Sequence, residues 1–330
     1  MHGPLVRSPV MRVVFFGSPA YAIPTLQGLI ESPEYEVVAV VTQPDRPRGR
    51  SGRPEPTAVK ELALEAGIEV LQPQRVRRDS TRRLAALRPD VGVVAAAGHI
   101  LPTHLIELFP HHVLNVHASL LPRHRGASPV AAAIRAGDEE SGASIMRIVR
   151  EVDAGPVLGQ VRTPIEPLDT AATLTARVAR LGAERLLDLL PRWVAGEVEA
   201  VPQDESIATD APRLSKPDGV LDWSLPAVEL WRLVRAFQPW PLATTRYGGQ
   251  PFTVHEAWPL NVAFDVEPGT VCAGDGEPLT PLLPGRGARA VVACGEGGLA
   301  LLRVQRAGRR AVEIEQYLNG DRELVGARLD

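Results

Sequence analysis

Two polar residues interrupt an otherwise apolar strand pattern at 113–118 (VLNVHA): Asn115 and His117. Spaced by two, their side chains leave the same face of a strand. They also lie near the strand's carboxyl end, where open α/β sheets bind ligands. Burying an amide and an imidazole is costly unless both find partners. The pair is therefore either two hydrogen-bonded core polars or part of a site. The next carboxylate of interest is Asp153, in Val152-Asp153-Ala154-Gly155-Pro156, where Gly-Pro marks a sharp turn. An Asp in a turn often caps its own backbone; turned toward a neighbouring strand end, it would meet His117. An amide, an imidazole and a carboxylate converging on one cleft suit acyl transfer to an amine. The amide donates to the oxygen that becomes negative in the tetrahedral intermediate. The imidazole donates to that oxygen or moves a proton. The amine attacks directly, so no side-chain nucleophile is required. Ser119 and Ser128 are candidates on paper, but neither sits in a G-x-S-x-G elbow.

The segment that follows, Ser119-Leu120-Leu121-Pro122-Arg123-His124-Arg125-Gly126, mixes apolar and basic residues. It is either a plain strand–helix connection or a wall for a flat aromatic ligand, built from a rigid proline and two leucines. Arg123 and Arg125 would then draw an anionic part of the ligand, or be solvated. No G-x-G-x-x-G follows the first strand and no G-x-x-x-x-G-K-[ST] occurs, which weakens dinucleotide and P-loop readings.

The elements that must position these residues alternate in the first half. Strand patterns fall at 11–17, 36–42, 70–71, 90–97, 113–118 and 144–149. Helix patterns fall between them, at 56–67 and at 79–87 with Asp79 as cap, and a long one spans 169–193. Strands apolar on both faces argue for a mostly parallel sheet covered by helices on both sides. Polarity rises at 200–216, which reads as a linker. Beyond it come a short helix at 226–237 and short apolar runs broken by Gly and Pro, the pattern of a small antiparallel barrel. Trp231 and Trp240 read as core residues.

Composition narrows the class. Lys+Arg number 36 against 39 Asp+Glu in 330 residues, and only Lys60 and Lys216 are lysine. A net charge of -3 excludes a chain that grips nucleic acid by bulk positive charge, yet permits a local patch. Two distant cysteines, Cys272 and Cys294, make neither a disulfide framework nor a thiolate metal site, so no metal is expected. The longest apolar run, 91–97, is too short to span a bilayer. Residues 1–10 read as a loose tail or an early start, without a signal peptide's apolar core. A soluble cytoplasmic protein is expected.

Together the motifs carry a resemblance. Phe16-Gly17-Ser18-Pro19, Thr42-Gln43-Pro44-Asp45-Arg46-Pro47, the Asn115–Pro122 stretch with Arg125-Gly126, Asp153-Ala154-Gly155 and Arg235-Ala236-Phe237-Gln238-Pro239-Trp240-Pro241 occur in an order and spacing that resemble the methionyl-tRNA formyltransferase family. The likeness runs from about Met11 to the C-terminus. It implies a Rossmann-like formyltransferase domain (11–199), a linker (200–216) and an OB-like tRNA-binding barrel (217–330). It implies formyl transfer from 10-formyltetrahydrofolate to methionyl initiator tRNA by a monomer. Asn115, His117 and Asp153 match the family's catalytic trio, and Ser119, Leu120, Leu121 and Pro122 its folate-binding stretch. The arginine-rich loop 44–56, with Arg46, Arg48, Arg50 and Arg53, matches the loop that holds the tRNA acceptor end. Arg303, Arg306, Arg309 and Arg310 form a second basic cluster, and Arg75, Arg77, Arg78, Arg82 and Arg83 a third, read as a solvated helix face. Ala97 and His124 depart from the family pattern, which has Tyr at the first position and often Trp or Tyr at the second.

Three competitors remain at this level. A sugar-nucleotide formyltransferase or a hydrolase of the same folate would share the trio, and an RNA-binding module on a degenerate α/β body would need no folate chemistry.

Overall fold

The computed structural model describes residues 10–47 and 52–330. The chain forms two compact units. One comprises residues up to Gly126 with Glu140–Thr163 and Thr175–Ala211, and the other comprises Ala127–Glu139, Pro164–Leu174 and Pro212–Asp330.

The first unit is built on β1 (Met11–Gly17), α1 (Ile23–Glu31), β2 (Tyr35–Val41), the short β3 (Arg46–Pro47) and β4 (Pro54–Glu55), α2 (Ala58–Glu65), β5 (Val70–Leu71), α3 (Arg78–Ala86), β6 (Val91–Ala95), α4 (Thr103–Ile106), β7 (Val113–His117) and β8 (Arg125–Gly126). After α5 (Pro129–Ala136), which belongs to the other unit, come β9 (Glu140–Arg147), β10 (Val157–Pro164), α6 (Ala171–Val194) and β11 (Asp210–Ala211). A seven-stranded sheet runs β10-β9-β7-β6-β1-β2-β5. From β5 to β7 every neighbouring pair is parallel, and β9 runs antiparallel to β7. β1 shows why the sheet is covered on both sides. Val13, Val14, Phe15 and Phe16 are all fully buried, although neighbouring side chains leave opposite faces. Burying one such side chain contributes roughly 1.5–3 kcal/mol. α6 lies close to the sheet at Gly182, where a Cβ would come within 2.7 Å of Val116 Cγ1.

Several expectations need correction here. α3 begins at Arg78 with Arg77 as its cap residue, while Asp79 sits in the first turn and pairs with Arg82. β10 and α5 were not legible in the sequence. The linker span 200–216 is no free tether in its first part. Val201 bridges Val157 and β11 pairs with β8, so residues to Ala211 belong to the first unit.

The second unit adds α7 (Ala227–Ala236), β12 (Ala243–Tyr247), β13 (Gln250–Leu260), β14 (Val271–Ala273), β15 (Ala290–Ala293), β16 (Gly298–Arg306), β17 (Val312–Glu313) and α8 (Ile314–Gly320). Its antiparallel sheet runs β12-β13-β16-β15-β14, with β17 on β16. The core between sheet and α7 includes Leu230, Val234, Phe252, Val254, Leu299 and Leu301. α5 packs on α7, and Arg135 lies over the Phe237 ring. Trp231 is partly buried against Trp258 and Arg235, whereas Trp240 is 49% exposed, so the core reading fails for Trp240. Among the described residues, no helix is long and apolar enough to cross a membrane.

Candidate active site

β7 delivers Asn115 and His117 to one face, and both are buried. His117 Nδ1 lies 3.5 Å from Asp153 Oδ2. Its Nε2 lies 3.0 Å from the His124 carbonyl oxygen. Both ring nitrogens thus face oxygen atoms of the protein. Asn115 differs. Among the described residues, no protein group is hydrogen-bonded to its side-chain amide, so its donors are unspent.

Asp153 reaches the cleft by an indirect route. Ile148 donates its N–H to Val113 O at the start of β7, at 2.8 Å. Five residues later the chain is beside His117 at the other end of that strand, so the turn after β9 runs back along β7. Asp153 holds φ +51 there, a left-handed conformation uncommon for a residue with a side chain. Its Oδ2 accepts the Gly126 N–H at 2.9 Å. Gly155 is required by space: a Cβ on it would meet Arg147 O at 1.8 Å.

The loop after β7 is fixed from within. Ser119 Oγ donates to Arg123 O at 2.6 Å, so this hydroxyl is spent on the loop. Ser144 on β9 is the hub. It donates to Ser119 O (2.7 Å) and accepts from Leu121 N–H (3.0 Å) and from Gln160 Nε2 (2.9 Å). Gln160 also donates to Leu121 O at 2.8 Å. Leu120 and Pro122 are left half-buried, and Leu121 is buried. Arg125 is not available to an anionic ligand. Two of its nitrogens each lie 2.8 Å from a Glu205 oxygen, and these bonds raise the arginine's pKa and lower the glutamate's. Sequence reasoning missed Ser144 and Gln160, which carry no motif.

Residues 11–190 match the formyl transferase family model, and residues 213–322 match the formyl transferase C-terminal domain. A methionyl-tRNA formyltransferase of Methylococcus capsulatus is 44% identical over 97% of this chain and 99% of its own. One from Roseiflexus is 42% identical over 97% and 95%. The chain belongs to the methionyl-tRNA formyltransferase family. It is a formyl-transferring enzyme. Solved structures share its fold at low identity. HypX from Aquifex aeolicus in complex with tetrahydrofolic acid superposes with a TM-score of 0.58 at 18% identity, over 94% of this chain and 47% of that one. WlaRD, a sugar 3N-formyl transferase solved in the presence of dTDP and 5-N-formyl-THF, gives 0.62 at 16%, over 92% and 100%.

The arginine loop of this formyltransferase is a hairpin at its root. Arg46 pairs with Glu55 and Pro47 with Pro54 across β3 and β4. Arg46 is exposed and donates to Gln43 Oε1 at 3.1 Å. Arg53 is exposed and has a partner within the protein. Arg48 and Arg50 lie outside the described residues. Asp45 anchors the root: Lys60 Nζ and Gln72 Nε2 each lie 2.6 Å from one of its oxygens. Lys60 first, then Gln72, hold its carboxyl below the usual carboxylate range. Gln43 links the root to the loop after β6 by donating to Gly98 O at 2.8 Å. The departures Ala97 and His124 are both buried. Ala97 O accepts the Ser18 hydroxyl at 3.0 Å.

The other basic clusters are partly spent. Arg303 and Arg306 lie 3.8 and 3.7 Å from Glu256 and Asp321. Arg309 and Arg310 line a hollow of about 690 Å³ with Arg306, Tyr317 and Asp321. In the third cluster Arg82 and Arg83 pair with Asp79 and Glu69, while Arg75, Arg77 and Arg78 are exposed. Among the described residues no group of three or more His, Cys, Asp or Glu is arranged to hold a metal.

Proposed function

We propose that the enzyme transfers the formyl group of 10-formyltetrahydrofolate to the α-amino group of methionine esterified to initiator tRNA. The observation that carries this reading is the unspent, buried Asn115 amide beside the His117–Asp153 pair. The amine attacks the formyl carbon, and the carbonyl oxygen becomes negative. Asn115 is the donor free to meet it. His117 stands beside it, and can donate to it once Nε2 turns away from the His124 carbonyl oxygen. Asp153 orients the imidazole. Collapse breaks the bond to the folate nitrogen, which takes up the proton that the amine gives up, and leaves tetrahydrofolate and the formylated amine.

Ser119, Leu120, Leu121 and Pro122 serve as the folate wall. Ser119 acts through the backbone of that wall, because its hydroxyl already bonds Arg123 O. Arg46, Arg48, Arg50 and Arg53 hold the acceptor end, and the setting of Arg46 on an anchored hairpin supports that role. The second unit, read as an OB-like domain, adds tRNA affinity through Arg309 and Arg310. The enzyme acts as a cytoplasmic monomer, without a metal.

The test is formylation by purified protein supplied with 10-formyltetrahydrofolate and methionyl initiator tRNA. Formyl-methionyl-tRNA should accumulate, and a sugar-nucleotide amine should not replace the tRNA. Equal turnover with the sugar amine, or formate release without tRNA, would reject the reading.

A further inference from the structure

We infer that Gln203, working with Arg125, is a positioning residue for Asp153. A glutamine side chain offers two N–H donors and one carbonyl oxygen. At Gln203 all are in use. Nε2 lies 2.8 Å from Asp153 O and 2.7 Å from Gly155 O. Oε1 accepts from Arg125 Nε at 3.1 Å and Nη2 at 2.8 Å. The partners fix the orientation of the amide, since two carbonyls need donors and a guanidinium needs an acceptor.

The arrangement closes a ring around Asp153. Gly126, next in the chain to Arg125, donates its N–H to the Asp153 carboxylate at 2.9 Å. Arg125 reaches the same aspartate's carbonyl through Gln203. The Arg125-Gly126 dipeptide therefore grips Asp153 at its side chain and at its backbone. Glu205 holds the guanidinium from the far side. Such a grip is needed because Asp153 holds a left-handed φ of +51 and Gly155 has no room to shift toward Arg147. Gln203 is half-buried, while Val201, Pro202, Asp204 and Glu205 around it are exposed. A glutamine in a polar, linker-like segment thus sets where the carboxylate facing His117 stands. Its hydrogen bonds go to Arg125, Asp153 and Gly155 and not to His117, so it acts on the histidine through Asp153.

The inference rests on Asp153 acting on His117, and the experiment separates the two. Full-length Gln203→Ala, Gln203→Glu, Asp153→Asn and the two double variants are assayed for kcat and for KM of both substrates, with thermal melts as a folding check. Gln203→Glu keeps the acceptor for Arg125 and loses the donors to Asp153 and Gly155. Both single Gln203 variants should lose up to about 100-fold in kcat, with both KM values within about two-fold of wild type. In the Asp153→Asn background the same changes should cost less than about two-fold, because the group they position is gone. Wild-type kcat in a folded Gln203→Glu protein overturns the inference alone. So does an undiminished loss in the Asp153→Asn background. Wild-type turnover by Asp153→Asn removes the reading of Asp153 and this inference together.

Discussion

Asn115 and His117 share one face of β7, two residues apart, yet among the described residues only the histidine side chain has a hydrogen-bond partner. The side-chain amide makes no hydrogen bond among the described residues, so its removal should cost the fold little. Asn115→Ala should lower kcat by about 10²–10³, the usual loss for an oxyanion donor. Its melting temperature should stay within a few degrees of wild type. Single-turnover formylation and calorimetry read the two quantities. A large drop in stability with unchanged turnover would make Asn115 a core residue instead.

Gly155 offers the converse case. A methyl group there has no space, because Arg147 O stands 1.8 Å from the Cβ position. Gly155→Ala should cost about 1–3 kcal/mol from overpacking. It should also displace Asp153 two residues earlier, so activity should fall further than the loss of folded protein accounts for. Denaturant melts beside kcat measure this.

Ser144, fully buried, joins two groups of the loop after β7 and Gln160 of β10. Ser144→Ala leaves the Leu121 N–H without its acceptor, at a cost of roughly 1–3 kcal/mol. The loop should loosen, raising KM for the folate while KM for tRNA stays unchanged. Steady-state assays varying each substrate in turn check the split.

Much of this was legible in the residues. The parallel strands stood out because both their faces are apolar, and the Asn-x-His spacing stood out because it breaks that rule. The path of Asp153 to His117 was not, since it depends on β9 running antiparallel to β7 and on a turn that doubles back. α5 was missed because its eight residues, PVAAAIRA, hold only Val130 and Ile134 as large apolar side chains, too few to mark a face. Gln203 lay in a segment whose polarity imitates a tether, and only its tertiary hydrogen bonds distinguish it.

The arginine hairpin predicts a salt signature. Replacing Arg46, Arg48, Arg50 and Arg53 by Ala should raise KM for tRNA and leave KM for folate unchanged. The log–log dependence of tRNA binding on salt should become shallower, by about 0.7–0.9 for each phosphate left unneutralised. Filter binding at several salt concentrations measures it. An unchanged slope removes the hairpin from the tRNA interface.

Asp45 sets the acid limit of that hairpin. Its folded-state pKa lies below the ordinary 3.8, so the stabilisation is present above that value and lost as pH falls through the lower, folded one. The root should therefore persist throughout the neutral and mildly acidic range. Protection of the Gln43 and Lys60 amides against hydrogen exchange should hold at about pH 5, above both values. Asp45→Asn should weaken it there.

The Lys60–Asp45 pair also bears on self-modification. An enzyme that presents an activated one-carbon unit to an amine exposes its own amines to the same reagent. This chain contains only two lysines, and the nitrogen of Lys60 is already committed to Asp45. The anchor of the hairpin thus also shields a nucleophile, leaving Lys216 as the one lysine not tied up in an ion pair among the described residues.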